Sequence, residues 1–323
     1  MKGKIFTAIA SVIASATLLS ACSTAYNISF YAYFQDNYNI SPAICVEELK
    51  YTMSLEDAGE YNGYTVAYSQ GECTMKLTRD SNDVYTLVTT QTASVTYTLN
   101  GSTTDPLQDS VQSTVVFKSA KNGLDPISSE RRFISHSPVN TTPVTVNDCY
   151  KKYDRTVVTN YTYTEEGTTG TTTITDNMKT ENNVSTSTFT VDEKKYTYLD
   201  NEQLLFALRC MVPSTTTKVQ VYAPFSKATQ RMKTYFAGST TAKDFDGIEI
   251  DGKTMKREIS YYPVTVQIDA RRSGTAKTVW VAATTSATSN TYRNVVLRYE
   301  NPLPYNLGTL TYQLVKADFT DKA

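Results

Sequence analysis

The sequence has little of what most catalytic and metal sites require. It contains one histidine, His136, and one tryptophan in 323 residues. A single imidazole excludes metal sites built from several histidines, and a Ser-His-Asp triad would have to use this one ring. No G-x-S-x-G or S-x-x-K motif accompanies it. We therefore interpret His136 as a histidine at a strand end or in a loop, and we predict no catalytic residue and no metal site.

Charge of one sign and long apolar runs are also scarce. The formal net charge is −1, so the chain lacks the basic excess that neutralises phosphates, and we expect no nucleic-acid partner. Beyond residue 21, no apolar run approaches the roughly 20 residues that span a bilayer. We also expect no cofactor.

The N-terminus has the pattern of an export signal. Lys2 and Lys4 precede an uncharged apolar stretch, residues 5–19, which is shorter than a bilayer span of about 20 residues. The sequence then reads "LSAC", which is similar to a bacterial lipobox. We predict a lipoprotein signal peptide at residues 1–21 and lipidation of Cys22. The acyl chains would anchor the protein at the cell membrane, facing outside the cytoplasm, because each buried methylene adds about 0.8 kcal/mol. An ordinary cleavage site beside a chance cysteine is the alternative.

The remaining chain shows no fixed-period repeat and no strong Pro or Gly linker. Residues 22–44 are rich in aromatics where a free tether would have Ser and Gly, so they form either a lipidated tether or a first strand. Residues 45–323 are predicted to be a single β-rich domain.

Period-two alternation, with abundant Thr and Tyr, predicts consecutive antiparallel strands. In "ECTMKLTRD", for example, Cys73, Met75 and Leu77 share one face while polar residues occupy the other. The dipeptides that favour turns with positive φ are Asn100-Gly101, Asn122-Gly123, Asp246-Gly247 and Asp251-Gly252.

One segment, "LDNEQLLFALRCMVP", breaks this pattern and predicts a helix at about residues 201–211. Asp200 is a suitable N-cap, and Pro213 follows the end. Apolar residues cover most of the helix, leaving chiefly Gln203 and Arg209 to face water or partners, and such a helix is normally buried. The predicted fold is mainly β, with a large curved antiparallel sheet or half-barrel wrapping this one apolar helix.

Three segments, residues 109–133, 200–211 and 294–314, resemble a family of exported, mostly uncharacterised bacterial proteins. That family is assigned an incomplete β-barrel similar to the lipoprotein-localisation carriers LolA and LolB. The resemblance implies a half-barrel whose concave face, lidded by helix, holds acyl chains. The present chain is longer than the Lol proteins and has less helical lid.

With Cys22 lipidated, four cysteines remain, and none belongs to a C-x-x-C motif, which argues against redox catalysis. In an exported chain four cysteines permit two disulfides in three connectivities. We favour pairing Cys45 with Cys73 and Cys149 with Cys210. The alternative is that they are unpaired small hydrophobes, because Cys73 and Cys210 lie on predicted apolar faces.

Carboxylates and tyrosines provide two further candidate sites. The acidic cluster Asp244, Asp246, Glu249 and Asp251 lacks the spacing of a calcium loop, and its Asp-Gly pairs are explained by turns. The 24 tyrosines can stack on sugars, and the pairs on one strand face are Tyr161 with Tyr163 and Tyr196 with Tyr198. Cross-strand packing on a sheet is the more common reason for such pairs.

These observations lead us to expect a membrane-anchored, non-enzymatic surface lipoprotein. It would bind an apolar or amphipathic ligand, or an envelope component, with a lipid or an envelope protein as its partner. The alternative is a glycan-binding or adhesive surface protein that uses exposed tyrosines. A third class, an enzyme acting on cell-wall polymers, has only scattered carboxylates to support it.

Overall fold

The computed structural model describes residues 45–82, 84–120, 123–191, 197–211, 216–236, 241–245, 247–254, 258–268, 276–283 and 294–321. The predicted signal peptide, Cys22 and residues 22–44 lie outside these ranges. The first ten strands are β1 Cys45–Glu56, β2 Glu60–Tyr61, β3 Tyr64–Arg79, β4 Val84–Leu99, β5 Ser102–Thr103, β6 Leu107–Ala120, β7 Gly123–Pro138, β8 Tyr150–Thr164, β9 Gly167–Asp176 and β10 Val184–Thr190. The other ten are β11 Thr197–Leu199, β12 Thr216–Ala223, β13 Ala228–Phe236, β14 Thr241–Asp244, β15 Glu249–Ile250, β16 Lys253–Thr254, β17 Glu258–Ile268, β18 Lys277–Ala282, β19 Val296–Pro302 and β20 Thr309–Asp321.

These strands form one mixed sheet, and the mainly β class is confirmed. The long strands run in the order β10-β9-β8-β7-β6-β4-β3-β1-β20-β19-β18-β17-β13-β12-β11. The prediction of an antiparallel sheet is wrong at two places, because β11 pairs with β12, and β15 with β20, in parallel. The first and last described strands, β1 and β20, pair with each other in the middle of the order.

The two ends of this strand order meet through side chains. Among the described residues, the residue-by-residue pairings join β10 to β9, β11 to β12 and β12 to β13, and none joins β10 to β11 or β12. Instead, the ring of Phe189 in β10 stacks on Tyr222 in β12, with centroids 4.0 Å apart. Tyr161 and Tyr198 pack against the same Phe189 ring. We call Phe189, Tyr161, Tyr198, Tyr222 and Val191 the aromatic seam. It gives the sheet a barrel-like curl.

Local patterns explain the strands and their turns. Cys73, Met75 and Leu77 are buried on one face of β3, as the alternation predicts. Two predicted turns are confirmed, because both residues of each have positive φ: Asn100 (50°), Gly101 (81°), Asp251 (49°) and Gly252 (76°). Asn122 and Asp246 lie outside the described residues.

The predicted helix exists but is shorter and less regular than expected. We call it α1; it covers residues 201–210, with one α-helical turn, Leu204–Ala207, between 3-10 turns at Asn201–Gln203 and Leu208–Cys210. Asp200 is its N-cap, as predicted, and accepts a 2.8 Å hydrogen bond from the Glu202 backbone nitrogen. Other 3-10 turns occur at Val146–Cys149, Pro224–Ser226 and Pro304–Asn306.

Helix α1 lies in the main hydrophobic core with side chains from both halves of the sheet. Phe206 packs against Phe117 of β6, with ring centroids 5.8 Å apart. Gln203 and Arg209, the polar positions of the helix, are buried as well. Gln203 bonds to the Asp200 backbone nitrogen, and Arg209 pairs with Glu47. Among the described residues, no helix has the length and apolarity needed to cross a bilayer.

Candidate ligand-binding site

Two pockets lie next to each other on the face of β7 that is turned towards the helix. The first has a volume of about 290 Å³ and lies between β7, β8, the N-terminus of α1 and the turn Pro224–Ser226. The second, about 390 Å³, extends along β7 towards β4, β6, β19 and β20. Arg131 and Phe225 line both pockets. These two side chains therefore mark the junction of the candidate site.

Asp200 forms the polar wall of the first pocket. Its Oδ2 accepts hydrogen bonds from Ser129 Oγ at 2.6 Å and from Tyr161 Oη at 2.5 Å. Burial raises the pKa of this carboxyl above its ordinary value; the charge of Glu202 adds to that rise, and the two hydroxyl bonds oppose it. Because Asp200 also caps the helix, its position is accounted for by the fold, and it joins the helix start to β7 and β8.

Arg131 provides positive charge at the junction. Its Nη1 lies 3.3 Å from Glu202 Oε1, and its guanidinium lies over the ring of Phe133, 5.2 Å from the centroid. Desolvation and the charge of Arg131 lower the pKa of the Lys277 amine, while Glu202 opposes that shift.

Phe225 projects from the 3-10 turn that follows β12 and contacts both aromatic and cationic side chains. Its ring makes an edge contact with Phe133, with centroids 5.9 Å apart, and lies 5.3 Å from the Arg155 guanidinium. The side chain is nevertheless 53% exposed. Phe225 thus places an apolar ring in the lining of both pockets.

The interior beside α1 is closed. Around the pair of Arg209 and Glu47 the residual space is only about 10 Å³, too little to hold even one water molecule comfortably. Phe206, Leu208 and their neighbours fill the middle of the curled sheet. Among the described residues, the two pockets that meet at Arg131 and Phe225 therefore offer far more space than the interior beside this ion pair.

The predicted disulfides are wrong for this structure. Cys73, Cys149 and Cys210 are buried free thiols. In the pairing of β1 with β3, Cys73 lies opposite Tyr51, six positions from Cys45, which corresponds to roughly 20 Å along a strand. That separation exceeds the Cα distance that a disulfide permits. The alternative interpretation, buried small hydrophobes, describes these three residues.

His136 lies near the end of β7 and is buried against a carboxylate. Its Nδ1 is 2.8 Å from Asp109 Oδ1, and its backbone nitrogen donates to the same oxygen at 2.8 Å. The ring also contacts Tyr150. Burial raises the pKa of Asp109, and the hydrogen bonds from His136 oppose this rise. The interpretation as a strand-end histidine is confirmed.

The acidic cluster is divided among turns and ion pairs. Glu249 pairs with Lys316 at 2.9 Å, and Asp251 accepts a 2.7 Å hydrogen bond from the Phe319 backbone nitrogen while forming the β15–β16 turn. Across the ranges that the structure describes, no group of three or more His, Cys, Asp or Glu is placed to bind a metal ion.

The tyrosine pairs are mostly structural. Tyr161 bonds to Asp200, and Tyr198 is buried in the aromatic seam. Tyr163 is 46% exposed but donates a 2.6 Å hydrogen bond to the Pro126 carbonyl. Tyr196 lies outside the described residues. Packing within the sheet, the alternative to sugar binding, therefore accounts for Tyr161 and Tyr198.

Sequence reasoning missed Arg131, Arg155 and Phe225. Arg131 belongs to the segment "SSERRF", where alternation places Arg131 and Phe133 on one strand face. This alternation is a local signal that could have placed Arg131 beside Phe133. No comparable signal links β7 to the turn containing Phe225, because the two are far apart in the chain.

Comparisons with known proteins add no functional assignment. No family model matches the chain, and no curated protein matches it. Among solved structures, the chain is similar to the crystal structure of a β-barrel-like protein of a domain of unknown function, DUF1849, from Brucella abortus. The two are 14% identical, the match covers 86% of this chain and 98% of the other, and the TM-score is 0.47.

Proposed function

We propose that this protein is a lipid-anchored, non-enzymatic protein of the bacterial envelope that binds a small amphipathic ligand. The observation that supports this most directly is the pair of adjoining pockets that meet at Arg131 and Phe225. They combine apolar walls with a few convergent polar groups, which is the usual composition of small-molecule sites.

The size of the pockets limits the ligand. Their volumes, about 290 and 390 Å³, are at the lower end of the roughly 300–1,000 Å³ typical of ligand sites. A ligand with one short apolar chain suits this space better than a two-chain lipid. The resemblance to the Lol half-barrels supports a curled sheet that handles apolar groups. In this chain, however, α1 fills the interior, so the pockets are the proposed binding place.

Binding of a neutral apolar probe tests this function. The mature chain from Cys22 onward, produced without its leader and therefore without lipid, is titrated with the fluorophore N-phenyl-1-naphthylamine. We expect saturable binding with an increase in fluorescence. Replacing pocket residues with tryptophan, Ala223→Trp in the first pocket and Ser110→Trp in the second, should weaken binding at least about tenfold by filling the space.

The matched control is Val144→Trp, which adds the same side chain at a position that is 87% exposed and outside both pockets. It should bind as the unmodified protein does. Absence of saturable binding, or equal weakening by all three variants, contradicts the proposal.

A glycan-binding function that uses exposed tyrosines is the second candidate. Its support among the described residues is limited to partly exposed rings such as Tyr163 and Tyr235. Binding on a glycan array that is lost in Tyr163→Ala but retained in the pocket-filling variants would favour this function over the first.

A further inference from the structure

The register of β7 and β8 brings two arginines together on one strand face. Arg131 lies opposite Val157, and Phe133 lies opposite Arg155. Arg131 and Arg155 are therefore diagonal neighbours in an antiparallel pair, a relationship that separates the residues by about 7–8 Å. Alternation directs both side chains to the face that carries the first pocket.

Both guanidinium groups retain a hydrogen-bond donor that the fold does not use. The Nε atoms of Arg131 and Arg155 are buried and have no hydrogen-bond partner among the described residues. A guanidinium carries five N–H donors and no acceptor, so an oxygen-rich anion is its natural partner. An unsatisfied buried donor is costly in a native protein, and a bound anion at this place would satisfy it.

Each arginine has one ion pair. Arg131 pairs with Glu202, and Arg155 Nη2 lies 4.0 Å from Asp176 Oδ2, at the limit of an ion pair. Because a guanidinium carries five N–H donors, one carboxylate does not use them all, and the remaining donors can bind an anion at the junction of the pockets.

The larger pocket supplies the apolar partner surface. Phe133 and Phe225 form its wall next to the arginines, and Leu303 and Leu310 lie further along it. An apolar chain that begins at Arg131 can follow this wall away from the charged groups.

We propose that the ligand is a single-chain anionic amphipath whose carboxylate or phosphate head binds at Arg131, beside Arg155, while its chain occupies the larger pocket. This inference rests on the proposed function of the paired pockets. It adds the sign of the head group and the orientation of the ligand.

Competition among ligands with one chain length and different heads tests the inference. Decanoate, decyl phosphate, decanol and decyltrimethylammonium, each below its micelle concentration, displace N-phenyl-1-naphthylamine from the mature chain. We expect the anions to displace the probe at concentrations at least about tenfold lower than decanol, which corresponds to one charge-assisted hydrogen bond. The cation should be weakest, and sodium chloride should reduce the difference.

The variant Arg131→Gln should bring the anion-to-decanol ratio close to one while the neutral probe still binds. Its matched control is Arg132→Gln, which removes an exposed arginine from the other face of β7 and should keep the preference. If Arg131→Gln does not fold, as judged by circular dichroism, Arg155→Gln should reduce the preference instead.

Equal displacement by anions and decanol in the unmodified protein would overturn this inference and leave the proposed binding function intact. A preference that Arg132→Gln reduces as much as Arg131→Gln would overturn it as well. Failure of the neutral probe to bind would instead contradict the proposed function itself.

Discussion

Arg209, in the last turn of α1, donates hydrogen bonds from both terminal nitrogens to the carboxylate of Glu47 in β1, with 3.0 Å between Nη2 and Oε2. Each residue is 4% exposed. The pair joins the helix to a strand 162 positions away in sequence. It lies beside the ring of Phe206, whose centroid is 5.3 Å from the guanidinium.

Removing one charge of this pair should be more harmful than removing both. Glu47→Gln leaves a buried guanidinium without its counter-charge, and we expect a loss of about 3–5 kcal/mol in the free energy of unfolding. The double variant Glu47→Leu with Arg209→Met should lose less, because no buried charge remains. Urea unfolding followed by circular dichroism measures both. A double variant that loses as much free energy of unfolding as Glu47→Gln, or more, would contradict this account.

Asp200 should make stability depend on pH. Its folded pKa is raised by burial, so above the unfolded value of about 4 the unfolded chain loses this proton first. The free energy of unfolding therefore falls as pH rises from about 4 through the folded pKa. Asp200→Asn cannot ionise and keeps an N-cap oxygen. As the pH rises through this range, the free energy of unfolding of the variant should therefore fall less than that of the unmodified protein.

Urea unfolding at several pH values measures both free energies, and the exposed Asp105→Asn serves as the control. An unchanged pH profile in Asp200→Asn would show that this carboxyl is not the source.

The buried thiols should be unreactive until the protein unfolds. Burial raises the pKa of Cys73 to about 11 and raises those of Cys149 and Cys210, so little thiolate is present at neutral pH. Iodoacetamide labelling with peptide mapping should modify these three residues slowly in the native state and fully in urea. Recovery of any of them as a disulfide-linked peptide from freshly isolated protein would contradict the structure.

The aromatic seam should depend on the absence of a side chain at Gly170. A Cβ placed at Gly170 would overlap the ring of Phe189, which is stacked on Tyr222 and therefore has little room to move. Gly170→Ala should cost about 1–3 kcal/mol through overpacking. Phe189→Ala alone should cost about 3–5 kcal/mol.

The double variant Gly170→Ala with Phe189→Ala separates this overlap from a general intolerance of alanine in β9. With the ring removed, the added methyl should cost much less than it does alone. Thermal unfolding of the four proteins gives the coupling. Additive losses would mean that the ring and the methyl do not compete for space.

The proposed anchor is tested independently of the pockets. In a bacterial host, radiolabelled palmitate should be incorporated into the full-length protein, and the protein should fractionate with membranes. Cys22→Ala should lose both the label and the membrane association, because the acyl chains supply the binding energy. Cys45→Ala, which alters the next cysteine in the chain, should change neither. Membrane association of unlabelled Cys22→Ala would contradict the lipid anchor.

Local patterns predicted much of the secondary structure. Alternation around Cys73 and Leu77 gave strand faces that the structure confirms, and Asp200 was recognised as the helix cap. The disulfides failed for a physical reason. Cysteine spacing along the chain does not reveal which strand positions lie opposite each other, and the β1–β3 register places Cys45 far from Cys73.

The sequence by itself determined the strand-forming alternation, two turn dipeptides and the buried helix that follows Asp200, because each depends on residues within a few positions of one another. Only the tertiary structure decided that β1 pairs with β20, that Phe189 meets Tyr222 across the seam, and that Phe225 lies against Arg155. These contacts depend on strand order and register over long separations. The candidate site consists of such contacts, so a local pattern was able to place Arg131 on a strand face but not to place Phe225 beside it.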